Sequence, residues 1–554
     1  MIDQQQQTSL LGDPLAPAWQ DLDQAQGIRW DRWMCIFVSL AVLTRSVRYV
    51  LRFPLWDDES FLCISFYRCG FGELLEPLVR HQVAPFLFLW LEKAMVVLFG
   101  FNELSLRLVP FLVSIASVFL FAQLVRRLLA GPTRIFCMAW FAVSYPGIRY
   151  AAEAKQYGTD MFASLVLIVL IVEWLRRPGH LKWLIAAILW CPVAICLSLP
   201  AVFTAASMSL LVLIAMIRAP QTRRWGTWLT FNLVFVGGMA VVYVVSIRPQ
   251  MQAELGFMGE YWDSSFVPFH SLWALARWLV ETHTGILFAH PMGDNNYGSS
   301  LTTILCVVGI VFFLRQKRVL SALLLLLPLA MHLTAAALRK YPYGGHFKFS
   351  MYIAPMIYLV MGTGCAMLVG IRSTKKTSVQ FARTVTVVLI LIGSIGVGSI
   401  VRDILNPYKT TADLRQRALA RWLWHDGNFE GRTVCIYDDL GVSFSERTWE
   451  ALGWAAMYQC NKYIYAPRHM VREPRPVYAP IPETRILRCV LYRDMGCGDF
   501  QQEALDQWLS QMKQKYEYLG MESYPLPRHD KRNRYLKTID YIIIYKFILL
   551  DDDV

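Results

Sequence analysis

Long uncharged runs separated by short polar connections occupy the chain up to about residue 402. Val109–Val125, Met161–Val172 and Val385–Ile400, for example, lack charge over most of the length that a helix needs to cross a bilayer. The pattern predicts eleven spanning helices, at roughly 33–52, 104–126, 134–148, 160–176, 183–198, 200–217, 227–247, 299–314, 319–338, 348–371 and 380–401.

The low charge content supports this interpretation. Hydrophobic residues make up 55% of the 554 residues and charged residues only 17%, whereas an average soluble domain carries roughly 25% charged residues. The sequence therefore excludes a soluble enzyme, a disordered chain and a small disulfide-stapled secreted domain. The net charge of +13 resides in short connections between apolar runs, which favours membrane anchoring over binding to nucleic acid.

The basic residues also predict the orientation of the chain. Five connections, after the second, fourth, sixth, eighth and tenth predicted helices, each carry at least three basic residues and no Asp or Glu. Such loops stay in the cytoplasm. We therefore expect a multi-pass plasma (inner) membrane protein with its N-terminus inside and the region after about residue 402 outside. Counting membrane crossings back from these cytoplasmic loops gives this orientation only if the apolar run Pro85–Phe99 lies along the outer surface instead of crossing the membrane. No cleavable signal peptide is expected, because mostly polar residues precede the first apolar run.

Three regions follow from this topology: a cytoplasmic tail at 1–32, a transmembrane domain at 33–402 with its first external loop at 53–103, and an extracytoplasmic domain at 403–554. In the last region β-rich runs alternate with helical stretches. We predict strands at Val434–Tyr437, Tyr463–Tyr465, Ile486–Tyr492 and Tyr541–Phe547, and helices at Thr411–His425 and Gln501–Tyr516. The fold class is thus an all-α polytopic membrane domain followed by a small α/β domain.

Three adjacent carboxylates, Asp57, Asp58 and Glu59, follow the first predicted span. Carboxylates beside apolar residues at a membrane surface are costly to desolvate, and they repel one another. The pKa of at least one of them should rise, which suits a general base. The alternative is a solvated helix N-terminus, where Asp is common.

Two further polar clusters fall on the same predicted side of the membrane. Glu153, Lys155 and Tyr157 lie at the mouth of a predicted span, and Asp160 lies more than a turn deeper than Glu153. The charged residues form either a site or a local Glu/Lys or Lys/Asp pair that helps the helix to start. The second cluster, Arg339–Lys348, contains Pro342-Tyr343-Gly344-Gly345-His346. This turn could hold an anion with its backbone N–H groups, Lys348 and His346, or it could be an ordinary turn with interfacial Tyr anchors.

Carboxylates that accept a proton and cations that hold a phosphate suit group transfer from a lipid-phosphate carrier. A transporter or flippase for a lipid-linked substrate is the main alternative; it would show inverted repeats and midplane charges, and the sequence shows neither. A membrane scaffold is a third possibility, in which the three carboxylates would have no role.

The order of these motifs resembles the GT-C superfamily of polyprenyl-phosphate-sugar-dependent glycosyltransferases. Within it, the sequence is most similar to the bacterial branch related to protein O-mannosyltransferases and the lipid A aminoarabinose transferase. The resemblance covers about 33–401. It is carried in order by the acidic residues after the first span, His81-Gln-Val-Ala-Pro85-Phe-Leu-Phe-Leu, Phe99–Pro110, Tyr150–Asp160 and Tyr341–His346.

The resemblance implies an inverting glycosyltransferase with a polyprenyl-phosphate-linked monosaccharide donor and a glycan, lipid or protein acceptor, acting within the bilayer and without nucleic acid. Asp58 would be the catalytic base, and the adjacent Glu59 would be a second catalytic residue. No cofactor is certain, although a divalent metal is possible. Substrate-binding residues would be Asp57, His81, Glu153, Lys155, Tyr157, Tyr343, His346 and Lys348. The sequence departs from the family in having Val83 or Ala84 where relatives carry Lys, and His346 where Arg is common.

Overall fold

The computed structural model of the protein describes residues 9–13, 30–78, 82–252, 262–373, 378–421, 432–435, 456–457, 460–461, 463–465, 486–493, 500–527 and 539–550. All structural statements below concern these residues. They divide into two compact units. The first comprises residues up to Arg52 together with Cys69–Gly100 and Leu104–Pro407; the second comprises Phe53–Arg68, Phe101–Glu103 and Tyr408 onwards.

The described part of the chain is mostly helical. Its α-helices are α1 Trp30–Val50, α2 Asp57–Arg68, α3 Phe86–Phe99, α4 Leu108–Leu128, α5 Gly131–Val143, α6 Tyr145–Arg149, α7 Tyr157–Arg176, α8 Lys182–Leu197, α9 Ala201–Arg218, α10 Trp225–Val242, α11 Arg248–Gln252, α12 Leu272–Thr284, α13 Ser300–Arg315, α14 Val319–Ala337, α15 Ala354–Ser373, α16 Ser378–Leu405, α17 Thr411–Arg421 and α18 Phe500–Lys515. Short 3-10 turns connect several of them, among them Ser105–Arg107, Tyr150–Ala152, Asp263–Ser265 and Phe347–Ile353.

Each of the eleven predicted spans contains a helix. Eight helical segments of the described residues are long and apolar enough to cross a membrane: Trp30–Val50, Ser105–Leu128, Tyr157–Arg176, Ala201–Arg218, Trp225–Gln250, Val319–Ala337, Phe347–Gly370 and Ala382–Leu405. The helices α8 and α13 are apolar but shorter, with 16 residues each, and α5 has 13 residues. The prediction of an all-α polytopic membrane domain is therefore confirmed.

The apolar run Pro85–Phe99 forms helix α3, which has 14 residues. Pro85 adopts an extended conformation immediately before the helix, and Gly100 follows it with a φ of 80° and an N–H bonded to the carbonyl of Val96. A glycine with positive φ is a common helix terminator because it has no Cβ to clash. A spanning helix needs about 20 residues, so the length of α3 is consistent with a helix lying along the surface, which stays a prediction.

Two basic residues of α1 are buried in the helical core of the first unit. Arg48 contacts Asp403 of α16 through Nη1 and Oδ2 at 3.0 Å, and both side chains are 4% exposed. Arg45 donates to the hydroxyl of Ser114 at 3.1 Å and to the carbonyl of Ala41 at 3.0 Å. A buried charge is tolerated only when it is paired or hydrogen-bonded, so these contacts fix the position of α1 against its neighbours.

Small residues allow α13 and α15 to approach each other closely. A Cβ at Gly309 would collide with the carbonyl oxygen of Val360, and a Cβ at Gly364 would collide with that of Leu305. Without a hydrophobic driving force between helices in lipid, close backbone approach at Gly is a main source of packing energy.

The second unit contains a four-stranded sheet in the order β1–β2–β4–β3, formed by β1 Arg432–Cys435, β2 Ile486–Arg493, β3 Tyr516–Pro527 and β4 Ile539–Leu549. β1 pairs with β2 in parallel, and the other two pairings are antiparallel. Trp508 of α18 packs on Tyr545 and Phe547 of β4, with ring centroids 5.9 and 6.0 Å apart. The predicted small α/β region is therefore confirmed.

Two details of that prediction are wrong. Tyr463–Tyr465 is helical instead of a strand, because aromatic and β-branched residues over three positions do not distinguish a strand from a buried helical turn. The sequence also missed β3, which follows α18 directly. Its polar and Gly-containing sequence is that of a strand at the sheet's edge, where β-propensity is weak.

We predict that Gly364→Val destabilises the protein by about 1–3 kcal/mol, because the added side chain forces α13 and α15 apart. Gly398→Val is the matched control, since a Cβ at Gly398 meets no atom within 4 Å and the change in helix propensity from Gly to Val is similar at the two sites. Thermal unfolding in detergent checks both variants. Equal melting temperatures for the two would contradict the close packing.

Candidate functional site

Asp57, Asp58 and Glu59 form the first turn of α2, in the second unit. Carboxylates favour the positive end of a helix dipole, which explains why the chain becomes helical here. A side-chain oxygen of Asp57 accepts the backbone N–H of Asp58 at 2.7 Å. Asp57 and Asp58 are half-buried, whereas Glu59 is 1% exposed. The turn therefore presents two carboxylates that solvent or a substrate can reach, and one that the fold encloses.

The pKa of Asp57 is raised to about 6, chiefly by burial and then by the negative charge of Asp58, with a smaller contribution from Asp413. The positive charge of Lys409 and the hydrogen bond from the N–H of Asp58 act in the opposite direction. Such a rise is expected when like charges are held together in a partly desolvated site. Asp57 is therefore suited to exchange a proton near neutral pH.

In the first unit, Glu153 is held by Arg149. The Nε of Arg149 lies 2.5 Å from Oε1 of Glu153, and both side chains are buried, at 8% and 3% exposure. The guanidinium also lies over the rings of Tyr150 and Phe347, at 5.2 and 5.5 Å from their centroids. The alternative of a local ion pair, which the sequence left open, involves Arg149 instead of Lys155.

Lys155 contacts the second half of the first loop. Its Nζ donates to Oε1 of Gln82 at 2.8 Å, and the side-chain amide of Gln156 donates to the carbonyl of Val83 at 3.3 Å. Lys155 itself is 3% exposed. The segment before α7 is thus fastened to the segment before α3. His81 lies outside the described residues.

The Tyr341–Lys348 turn depends on two glycines. Gly344 and Gly345 have φ values of 82° and 71°, a backbone region that favours glycine. A Cβ at Gly345 would also collide with the hydroxyl of Ser265. The N–H of Tyr343 donates to the carbonyl of Ser265 at 2.9 Å, and Nε2 of His332 donates to the carbonyl of Pro342 at 2.7 Å. The turn is therefore held rigidly by the surrounding helices.

Tyr343 is buried at 1% exposure and has a structural partner. Nδ1 of His283 donates to the carbonyl of Leu279 at 2.7 Å, so Nε2 of the neutral ring accepts the hydroxyl of Tyr343 at 2.9 Å. Burial lowers the pKa of His283, which favours the neutral ring that this arrangement requires. The hydrogen bond between the Tyr343 hydroxyl and His283 thus links the turn to α12.

Lys348 and His346 lie beside the residues that precede α7. The Nζ of Lys348 is 5.9 Å from the ring centre of Tyr157, 5.2 Å from that of Trp262 and 5.5 Å from that of Phe349. His346 accepts the backbone N–H of Lys348 through Nδ1 at 3.1 Å. Phe347, between them, packs 5.6 Å from Tyr150. The structure therefore brings together the two clusters Glu153–Tyr157 and Tyr343–Lys348.

The first-loop carboxylates belong to the second compact unit and the other two clusters to the first. That all three share one crevice stays a prediction. Sequence reasoning assigned no role to Gln82, although it follows His81 in one of the motifs above. It likewise missed Trp262 and His283, which lie in no motif and are defined only by what they contact. It also missed Lys409 and Asp413, although the spacing Thr410-x-x-Asp413 has the form of a capping box and signals the start of a helix.

Among the described residues, no group of three His, Cys, Asp or Glu side chains is placed to hold a metal ion. The described residues therefore do not supply a complete set of protein ligands for a metal ion.

Comparisons with known proteins identify the fold. No protein-family model matches the chain, and no curated protein matches it. The crystal structure of ArnT from Cupriavidus metallidurans bound to undecaprenyl phosphate matches with a TM-score of 0.50 and 12% identity, over 93% of this chain and 98% of that one. ArnT in the apo state matches with a TM-score of 0.46 and 11% identity, over 93% and 98%. The oligosaccharyltransferase AglB from Archaeoglobus fulgidus, in complex with an inhibitory peptide and a dolichol-phosphate, matches with a TM-score of 0.46 and 10% identity, over 93% and 74%.

The match to undecaprenyl-phosphate-bound ArnT covers nearly the whole of both chains. The protein therefore has the fold of that structure, a polytopic membrane architecture of the kind that the sequence resemblance implies. With eight helices of spanning length and composition among the described residues, it is a multi-pass membrane protein.

We predict that Glu153→Gln destabilises the protein by about 3 kcal/mol or more, because it leaves the buried Arg149 guanidinium without its counter-charge. The double variant Arg149→Met/Glu153→Leu should recover much of that loss, since no charge is then left buried. Glu281→Gln is the control: it breaks an ion pair of the same i,i+4 spacing with Arg277, but at 68% and 43% exposure, and should change little. Melting temperatures in detergent measure all three. A Glu153→Gln protein as stable as the control would contradict a buried structural pair.

Proposed function

We propose that the protein is an inverting membrane glycosyltransferase. It transfers a monosaccharide from a polyprenyl-phosphate carrier to an acceptor hydroxyl on the extracytoplasmic side. The observation that carries this proposal is the carboxylate turn at Asp57–Glu59, with a raised pKa at Asp57, in a chain that has the fold of ArnT. The undecaprenyl phosphate in the matched ArnT structure supports a lipid-phosphate donor.

The reaction is a single displacement at the anomeric carbon. The acceptor oxygen forms a bond to that carbon as its proton passes to Asp58, and the bond between the anomeric carbon and the phosphate oxygen breaks. The bonding electrons leave with the polyprenyl phosphate. One base is sufficient, and a single displacement inverts the configuration, in contrast to the two-carboxylate arrangement of retaining glycosidases. Asp57 keeps Asp58 in place through the hydrogen bond to its N–H, and the enclosed Glu59 anchors the turn.

The cationic cluster of the first unit stabilises the departing phosphate. Lys155, His346 and Lys348 supply positive charge or hydrogen-bond donors, and fixed positive groups aimed at developing negative charge lower the barrier. The aromatic rings around Lys348 orient its ammonium group without neutralising it. Arg149 supplies the counter-charge of the buried Glu153.

The orientation follows from the basic connections, which favour a cytoplasmic N-terminus and an extracytoplasmic C-terminal region. In that orientation the donor approaches from the outer leaflet. The acceptor is a hydroxyl on a glycan, a lipid or a protein.

We predict that Asp58→Asn lowers sugar transfer by a factor of about 100 or more, because the variant cannot accept the acceptor's proton. The measurement is the transfer of label from radiolabelled polyprenyl-phosphate sugars by the purified protein. Asp294→Asn, which removes an exposed carboxylate, is the control and should retain activity. Size-exclusion profiles and melting temperatures establish that each variant is folded.

Full transfer by the folded Asp58→Asn variant would overturn the assignment of the base. Movement of an intact lipid-linked sugar between the leaflets of proteoliposomes, with no new glycosidic bond, would instead identify the protein as a flippase.

We predict that Lys348→Gln raises the KM for the lipid-phosphate donor by a factor of about 10, because one cation near the phosphate is lost. Lys340→Gln is the matched control, because it removes the same charge from an exposed position immediately before the turn. Steady-state kinetics at several donor concentrations gives the KM of each variant. Equal KM values for both variants would show that Lys348 does not act on the phosphate.

A further inference from the structure

Helix α17 begins directly beside the carboxylate turn, within the second unit. Its first turn is a reciprocal capping box: Asp413 accepts the backbone N–H of Thr410 at 2.7 Å, and the hydroxyl of Thr410 accepts the N–H of Asp413 at 3.3 Å. The carboxylate of Asp413 also accepts the N–H of Lys409 at 3.1 Å and the hydroxyl of Thr410. Asp413 is 0% exposed. These hydrogen bonds fix the backbone conformation from Lys409 to Asp413.

Lys409 points to the carboxylate turn. Its ammonium group lies over the ring of Trp56, the residue that immediately precedes Asp57. A cation over an indole ring is a favourable contact that also orients the charge. The positive charge of Lys409 is thereby held next to the first residue of α2, more than 350 positions earlier in the chain.

Three charged groups act on Asp57: Asp58 from its own helix, and Lys409 and Asp413 from the start of α17. Lys409 and Asp413 act on the pKa of Asp57 in opposite directions: Lys409 favours the ionised carboxylate and Asp413 disfavours it. Because a capping box holds both of them, their balance is built into the fold of the segment.

We propose that Lys409 and Asp413 are positioning residues that set the ionisation of the Asp57–Asp58 pair, so that the start of the C-terminal region takes part in the transfer reaction. This inference rests on the proposed function. Neither residue touches the reacting atoms in this mechanism. They act through the charge of the pair that accepts the proton.

The two charges predict opposite effects on the acid limb of the pH profile of kcat/KM. Lys409→Met keeps the packing on Trp56 but removes the positive charge, so the limb should move to higher pH by about 0.5–1 unit. Asp413→Asn keeps a good helix cap but removes a negative charge. The limb should therefore move to lower pH by a similar amount wherever Asp413 is ionised in the parent protein.

Two further variants separate charge from packing. Lys409→Arg retains the cation and should keep the parent pH profile. Lys513→Met removes another lysine that lies over an aromatic ring, that of Tyr518 at 5.1 Å, and it is not among the charged groups that act on Asp57. It should leave the profile unchanged.

The same shifts should appear without any substrate. Infrared titration of the full-length protein, as the difference from the Asp57→Asn variant, reports the carboxyl band of Asp57 directly. If the parent protein transfers no sugar but the titrations of Lys409→Met and Asp413→Asn move apart, the proposed function fails and this coupling stands. If transfer occurs but the two variants leave the titration unmoved or shift it in the same direction, the coupling is overturned and the proposed function stands.

Discussion

The cost of placing charge in an apolar environment governs this structure. A buried ion stays in a folded chain only when an opposite charge or several hydrogen bonds surround it. Arg48 with Asp403, Arg149 with Glu153 and Arg127 with Glu173 meet this requirement, at 3.0, 2.5 and 2.7 Å. Each of these pairs joins groups that would otherwise oppose folding.

The carboxylate turn differs from these ion pairs. Asp57 and Asp58 are neighbours of the same sign, and a third carboxylate at Asp413 adds to their repulsion. Like charges held together raise one another's pKa, and the fold maintains them at a cost in stability. Arrangements of this kind concentrate where a proton is exchanged. Glu153 differs from these residues in having a buried counter-charge, that of Arg149. Its predicted contact with substrate stays a prediction.

The sequence predicted what depends on local pattern. Hydrophobic runs located a helix in every predicted span, and the fourteen-residue α3 coincides with the run Pro85–Phe99, because a bilayer imposes length and composition on each segment independently. Residues whose role depends on distant contacts could not be predicted. The hydroxyl of Tyr343, for example, is bonded to His283, 60 positions away. Lys409 carries no motif, and its relation to Trp56 arises only when the chain folds.

The helix that carries the carboxylates depends on residues near the other end of the chain. Helix α2 has 12 residues, a length at which an isolated helix is marginal in water. Its apolar residues Phe61, Leu62, Ile64 and Phe66 are all at most 1% exposed. Tyr67 stacks on Tyr463 with ring centroids 3.5 Å apart, and the thiol of Cys460 donates to the carbonyl of Ser60 at 3.6 Å.

The stability of α2, and hence the direction of Asp58, therefore comes from packing against the C-terminal region instead of from helix propensity. The segment Phe53–Arg68, which contains α2, belongs to the same compact unit as the C-terminal region. Under the proposed function, the C-terminal region then supports the helix that carries the proton-accepting carboxylate.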